Sequence, residues 1–159
     1  MKKVYPNEQE CIALLKQYGC LDHIILHSQK VKEIACQLNN NLISTFDQNK
    51  IICASLLHDI MRTHQHHDQC GAELLETLGY EDIAEIIREH HNITFHEFDE
   101  RYLIYLADKL VIGNQVVTLE ERFLTKYHSF KDNKAKEACL RRYQEARYVY
   151  ELYERMSQK

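Results

Sequence analysis

The sequence predicts an all-α domain, a single helical bundle of about six to eight helices. Three observations lead there. Apolar residues recur at helical spacing along nearly the whole chain. Only four Gly and one Pro occur, too few for the turns that an all-β fold needs every eight to twelve residues or so. Capping residues and glycines stand where the periodic segments begin and end.

The elements follow in order. Asn7 caps a first helix that runs to about Tyr18, with Pro6 just before it and Gly19 closing it. A second helix covers about Asp22 to Leu38. Its stripe of Ile24, Val31, Ile34, Ala35 and Leu38 also carries His27, and Asn39, Asn40 and Asn41 end it. Asp47 caps a third helix reaching about Ile60. A fourth spans about His66 to Leu78 and stops at Gly79. A fifth starts near Glu81 and carries Ile83, Ala84, Ile86 and Ile87 toward His90. The sixth is expected from about Glu97 to Ile112, before Gly113. Thr118-Leu119-Glu120-Glu121 has the form of a capping box for a short seventh helix. The last spans about Lys131 to Met156, with Ala135, Cys139, Tyr143, Ala146, Tyr150 and Tyr153 as its buried stripe.

No repeat, linker or low-complexity stretch divides the 159 residues, so one domain is expected over residues 1–159. Its core lies at about 22–112, with a C-terminal helical extension at about 118–157. The net charge of −4 argues against a protein that coats nucleic acid, and no sequence-specific nucleic-acid partner is expected. Residues 131–159 are locally basic, at +3. Six Cys without a CxxC pair, no signal-like N-terminus and no apolar run long enough to span a bilayer point to a cytoplasmic protein with reduced thiols.

Ten His is a high count, and seven of them crowd into positions 58–96. Several His and Asp fall at the ends of helices. His27 is on the second helix, His58-Asp59 ends the third, His67 opens the fourth and His90-His91 end the fifth. Asp108 interrupts the apolar run Tyr102-Leu103-Ile104-Tyr105-Leu106-Ala107. A carboxylate there is costly unless it is paired or bound to a cation. Imidazole and carboxylate together suit Fe, Mn, Ni, Co or Zn. The spacing matches no zinc finger, EF-hand or HExxH motif.

Five blocks carry a family resemblance. They are His27-Ser28-x-x-Val31-x-x-x-Ala35, Leu56-Leu57-His58-Asp59-Ile60, His67-x-x-x-Gly71-Ala72, Ile87-x-x-His90-His91 and Leu106-Ala107-Asp108-Lys109-Leu110. Together they resemble the HD-domain metal-dependent phosphohydrolases over about residues 27–110. The stretch Ala54 to Arg62 is similar to the subgroup with an HDIG-type motif, with Met61 where that motif has glycine.

The resemblance implies a helical bundle holding one or two divalent transition-metal ions. His27, His58, Asp59 and Asp108 would hold the first, and Asp59 would bridge to a second held by His67 and His90. Asp59 would also be the catalytic carboxylate. His91 stands beside these ligands, as a support or as a ligand itself. Arg62 and Lys109 are candidates for binding substrate phosphate. The expected activity is hydrolysis of a phosphate ester or anhydride in a nucleotide-like small molecule. A (p)ppGpp hydrolase is disfavoured, because Met61-Arg62-Thr63-His64 stands where those enzymes carry an acidic pair. Two alternatives stay open: a di-iron oxygenase on the same ligand set, and a non-catalytic metal- or nucleotide-binding module that partners another protein.

Overall fold

The computed structural model describes residues 4–88 and 97–158. Eight helices and one short hairpin occur among them: α1 (Glu8–Gln17), α2 (Asp22–Asn40), α3 (Gln48–Leu57), α4 (His67–Thr77), α5 (Glu81–Arg88), α6 (Glu100–Lys109), β1 (Val111–Ile112), β2 (Gln115–Val116), α7 (Leu119–Ser129) and α8 (Asn133–Arg155). The protein is all-α apart from that hairpin, as its composition predicts.

The caps work as the sequence suggests. The Asn7 side chain accepts from the Glu10 amide while Glu10 reaches back to the Asn7 amide, a reciprocal capping box. The Asp47 carboxylate accepts from the amides of Asn49 and Lys50. The Thr118 hydroxyl accepts from the Glu121 amide.

Two expectations need correction. The third helix ends at Leu57 rather than near Ile60, and His58 to Ile60 form the turn that follows. The sixth helix does not span Glu97 to Ile112. It begins after Asp99, whose carboxylate accepts from the Arg101 amide, and it ends at Lys109. Val111-Ile112 then leaves the helix and pairs antiparallel with Gln115-Val116. The two-residue loop between them starts at Gly113 with φ 61°, the left-handed conformation that glycine adopts without a Cβ penalty. β-branched residues beside such a turn favour the hairpin over another helical turn.

Helix α6 organises the core. Every residue from Tyr102 to Lys109 is buried, the mark of an internal helix rather than an amphipathic one. α2 and α3 pack on it and on each other, α5 closes a further side, and α4 pairs with α5. Val31, Ala35, Ile51, Ala54, Ile87 and Leu103 are fully enclosed in this core. α7 and α8 pair with each other, and α8 also packs on α6. The predicted stripe of α8 is buried at Cys139, Ala146 and Tyr153; Val149 is buried too, while Tyr143 and Tyr150 are half-buried.

The C-terminal end of α8 meets the C-terminal end of α2. The Tyr153 hydroxyl donates to the Leu38 carbonyl at 2.9 Å, and Leu42 pairs with Ser157 in an isolated antiparallel bridge. No helix of the described residues is long and apolar enough to cross a membrane.

Candidate metal centre

Four of the predicted residues meet at one end of the bundle. His27 comes from α2, His58 and Asp59 from the turn after α3, and Asp108 from the penultimate position of α6. His27 Nε2 lies 3.0 Å from Asp108 Oδ1 and 3.8 Å from Asp59 Oδ2. His58 Nε2 lies 3.4 Å from each of the same two oxygens. Asp59 and Asp108 are only 4% and 5% exposed, and His58 is fully buried.

Both imidazoles are fixed by main-chain carbonyls. His27 Nδ1 is 2.6 Å from the Gly113 carbonyl oxygen, and His58 Nδ1 is 2.6 Å from that of Ser55. A carbonyl only accepts, so each Nδ1 carries hydrogen. The lone pair of each neutral ring then sits on Nε2, which faces the carboxylates. Ligating histidines are held by the same kind of support.

The spacing fits a metal. Two ligand atoms about 2.1 Å from one ion stand about 3.0 Å apart at a right angle and about 3.4 Å apart at the tetrahedral angle. The separations here run from 3.0 to 3.8 Å. One ligand atom each from His27, His58 and Asp108 lies within 4.8 Å of the others. This donor set of nitrogen and oxygen suits a divalent transition ion.

The electrostatics agree. Burial opposes a charge on His58, but the carboxylates of Asp59 and Asp108 outweigh it and push its pKa up to about 9. Burial also works against the Asp108 carboxylate. The adjoining imidazoles of His27 and His58 and the Lys109 ammonium reverse that and hold it well below the usual carboxylate range. Without metal, a proton on His58 therefore stands in for the cation.

That proton has a measurable signature. Its stabilising effect is complete below the unfolded-state pKa of about 6.5 and fades as pH rises toward the folded value. Metal-free protein is expected to lose about 3 kcal/mol of unfolding free energy between about pH 6 and about pH 9.5. Urea unfolding at both values checks this, with His58→Gln as the control that should show no such loss.

The remaining candidates fall differently. Arg62 is exposed and lines a cavity of about 410 Å³ with His27, Asp59, Asp108, Arg122 and Lys126. Lys109 does not line that cavity. Its ammonium is buried, 3.7 Å from Asp108 Oδ2 and 5.1 Å from the centre of the Tyr105 ring, and it borders a neighbouring cavity. His67 opens α4, but its side chain lies outside the described residues, as do His90 and His91.

Sequence reasoning missed Arg122. Its Nη1 donates to the carbonyls of Asp108 at 3.0 Å and Val111 at 2.8 Å. It thereby ties α7 to the end of α6 and to the hairpin that carries Gly113. The spacing of Arg122 and Lys126 on one face of α7 was the available signal.

The chain is 36% identical over 92 residues to a tRNA (cytidine(56)-2'-O)-methyltransferase of Thermoplasma volcanium, covering 55% of this chain and 27% of that protein. It is 27% identical over 147 residues to the same-named protein of Picrophilus torridus, covering 80% of this chain and 42% of that one. The chain thus spans less than half the length of either methyltransferase. A third relative is the uncharacterized protein MJ0778 of Methanocaldococcus jannaschii, 26% identical over 136 residues, with 71% of this chain and 80% of the relative covered. No solved structure matches the chain. The HD domain family matches residues 22–113, and that span holds His27, His58, Asp59 and Asp108. It is more than half of the chain, which therefore belongs to the HD-domain family.

Proposed function

We propose that the protein is a metal-dependent phosphohydrolase that cleaves a phosphate ester or anhydride of a nucleotide-like small molecule. One observation carries this reading. Two imidazole nitrogens and two carboxylates converge, with His58 buried behind, where His27, Asp59 and Asp108 line a cavity whose other charged lining residues are Arg62, Arg122 and Lys126. Acidic and imidazole ligands facing a basic rim suit a phosphoryl group, which needs its charge offset on both sides.

His27, His58 and Asp108 would hold the ion, with Asp59 beside them. Such an ion, when bound, would contribute Lewis acidity that lowers the pKa of a water and draws charge from a phosphoryl oxygen. The protein's own groups do the rest. Gly113 and Ser55 keep each Nε2 turned inward. Asp59, at the cavity wall, orients the attacking water and accepts its proton. The water oxygen bonds to phosphorus, the bond to the leaving oxygen breaks, and the leaving oxygen ends protonated. Arg62 meets the phosphate through paired N–H donors. A second ion would draw on His67 and His90.

The test is elemental analysis of purified protein, followed by a screen of nucleotides and phosphoesters with the metal found. Bound transition metal and turnover of a phosphate compound support the reading. Failure to bind Mn, Fe, Ni, Co or Zn would overturn it. Binding of metal and a phosphate compound without turnover would favour the non-catalytic module, and O₂ consumption with iron alone would favour the oxygenase. Arg62→Ala is expected to lower kcat/KM about tenfold to a hundredfold with metal content intact, as loss of a charge-assisted phosphate contact does. An unchanged kcat/KM would remove Arg62 from the substrate site.

The names of two relatives favour a second substrate reading, a phosphate carried on tRNA. Including tRNA in the same screen tests it, and turnover of tRNA but of no small phosphate compound would establish it.

A further inference from the structure

A second cavity of about 420 Å³ adjoins the first and lies against α7 and α8. Arg62, Arg122 and Lys126 line both. Lys109 and Arg142 line the second alone. Five cationic side chains from four separate stretches of chain thus face one space, and among the described residues no carboxylate lines it, Glu145 lying behind Tyr105 and Lys109. Such convergence is unfavourable in itself, because like charges repel more strongly in a partly enclosed space than in open water. Burial lowers the pKa of Lys126, and the neighbouring charges of Arg122 and Arg142 lower it further. Lys109 is only 8% exposed, and its ammonium has the Asp108 carboxylate 3.7 Å away. An anion in the cavity would offset the charges of Lys126 and Arg142 together.

We infer that this cavity is a second anion subsite, and that the substrate carries at least one phosphoryl group beyond the one presented to His27, His58, Asp59 and Asp108, as a nucleoside polyphosphate does. The inference rests on the phosphohydrolase reading for the direction in which the substrate lies. The three shared cations stand between the two cavities, within reach of a phosphate chain that has one group in each. A phosphate chain so placed keeps one end at the imidazole–carboxylate cluster and the other beside Arg142. A small polyphosphate fits these two adjoining cavities better than a nucleic-acid backbone, which needs an extended basic surface.

The test is calorimetric titration of wild-type protein with inorganic phosphate and with tripolyphosphate, metal-loaded and metal-stripped, beside Arg142→Gln and Lys126→Gln. Both side chains are exposed, so both variants are expected to fold. Wild type should bind tripolyphosphate at least about tenfold more tightly than phosphate, the worth of one good charge-assisted contact. Arg142→Gln should remove most of that preference and leave metal content unchanged. Equal tripolyphosphate affinity in wild type and both variants would overturn the subsite, even in a protein that proves to be a hydrolase. Tripolyphosphate bound by metal-stripped wild type and released by Arg142→Gln would support the subsite, even if no turnover is found. A short oligoribonucleotide that binds more tightly than tripolyphosphate and depends equally on Arg142 would overturn the small-molecule assignment in favour of RNA.

Discussion

Asp59→Ala is expected to bind little metal and to show turnover reduced to background. Asp59 Oδ2 stands 3.4 Å from His58 Nε2 and 3.8 Å from His27 Nε2, so one oxygen faces both imidazoles. The carboxylate is 4% exposed and lines the cavity in which substrate would sit. Its loss removes a negative charge from the ion's position and a proton acceptor from the water's. Loss of a positioned base alone costs about 10²–10⁴ in rate, and loss of metal takes away what remains. Asp59→Asn separates the two effects. Its amide oxygen still donates to a metal but takes no proton, so it should keep more metal than Asp59→Ala while remaining almost inactive. Elemental analysis and turnover on the two variants check this. Full metal and full rate in Asp59→Ala would show that the chemistry lies elsewhere.

Arg122→Met is expected to have the second largest effect, although its guanidinium reaches the His27, His58, Asp59 and Asp108 cluster through the Asp108 main chain. The last carbonyls of a helix lack partners within it. Arg122 satisfies one at Asp108 and a second at Val111. Hydrogen bonds from a charged donor contribute about 1.5–3 kcal/mol each, and Met keeps the apolar stem while losing both. A loss of about 3 kcal/mol lowers Tm by about 6–12 °C in a domain of this size. The same change loosens the end of α6 and the hairpin, so metal affinity should fall with stability. Arg122→Lys should recover part of the loss, since an ammonium is a point charge and lacks the planar fork. Thermal melts with and without metal measure both effects. A Tm within about 1 °C of wild type would contradict the role given to Arg122, since even 1 kcal/mol shifts Tm by more than that.

The fold was legible where local chemistry decides it. Asn7, Asp47 and Thr118 cap helices because a side-chain oxygen meets an amide two or three residues on. Asp108 could be singled out because a carboxylate in an apolar run must find a partner, and it meets His27 and His58. Long-range geometry was not legible. Val111-Ile112 continues the apolar pattern of α6 and looks helical until its pairing with Gln115-Val116 is seen. The direction of Lys109 depends on Tyr105 and on the second cavity, neither of which adjacency in the chain reveals. Arg122 reads as an ordinary surface charge because its acceptors are backbone atoms 11 and 14 positions away.

The carbonyls of Gly113 and Ser55 have a consequence for how this site tolerates change. Every residue has a carbonyl, so replacing the side chain at either position does not delete the acceptor. The orientation of His27 and His58 is written into the path of the main chain. Insertion or deletion is a change that reaches it. One residue added to the loop after Val111-Ile112 would move the Gly113 carbonyl and release the His27 ring, and a side chain at 113 would strain the same turn at its φ of 61°. The length of this loop, together with the glycine at 113, is therefore what variants of the protein must preserve.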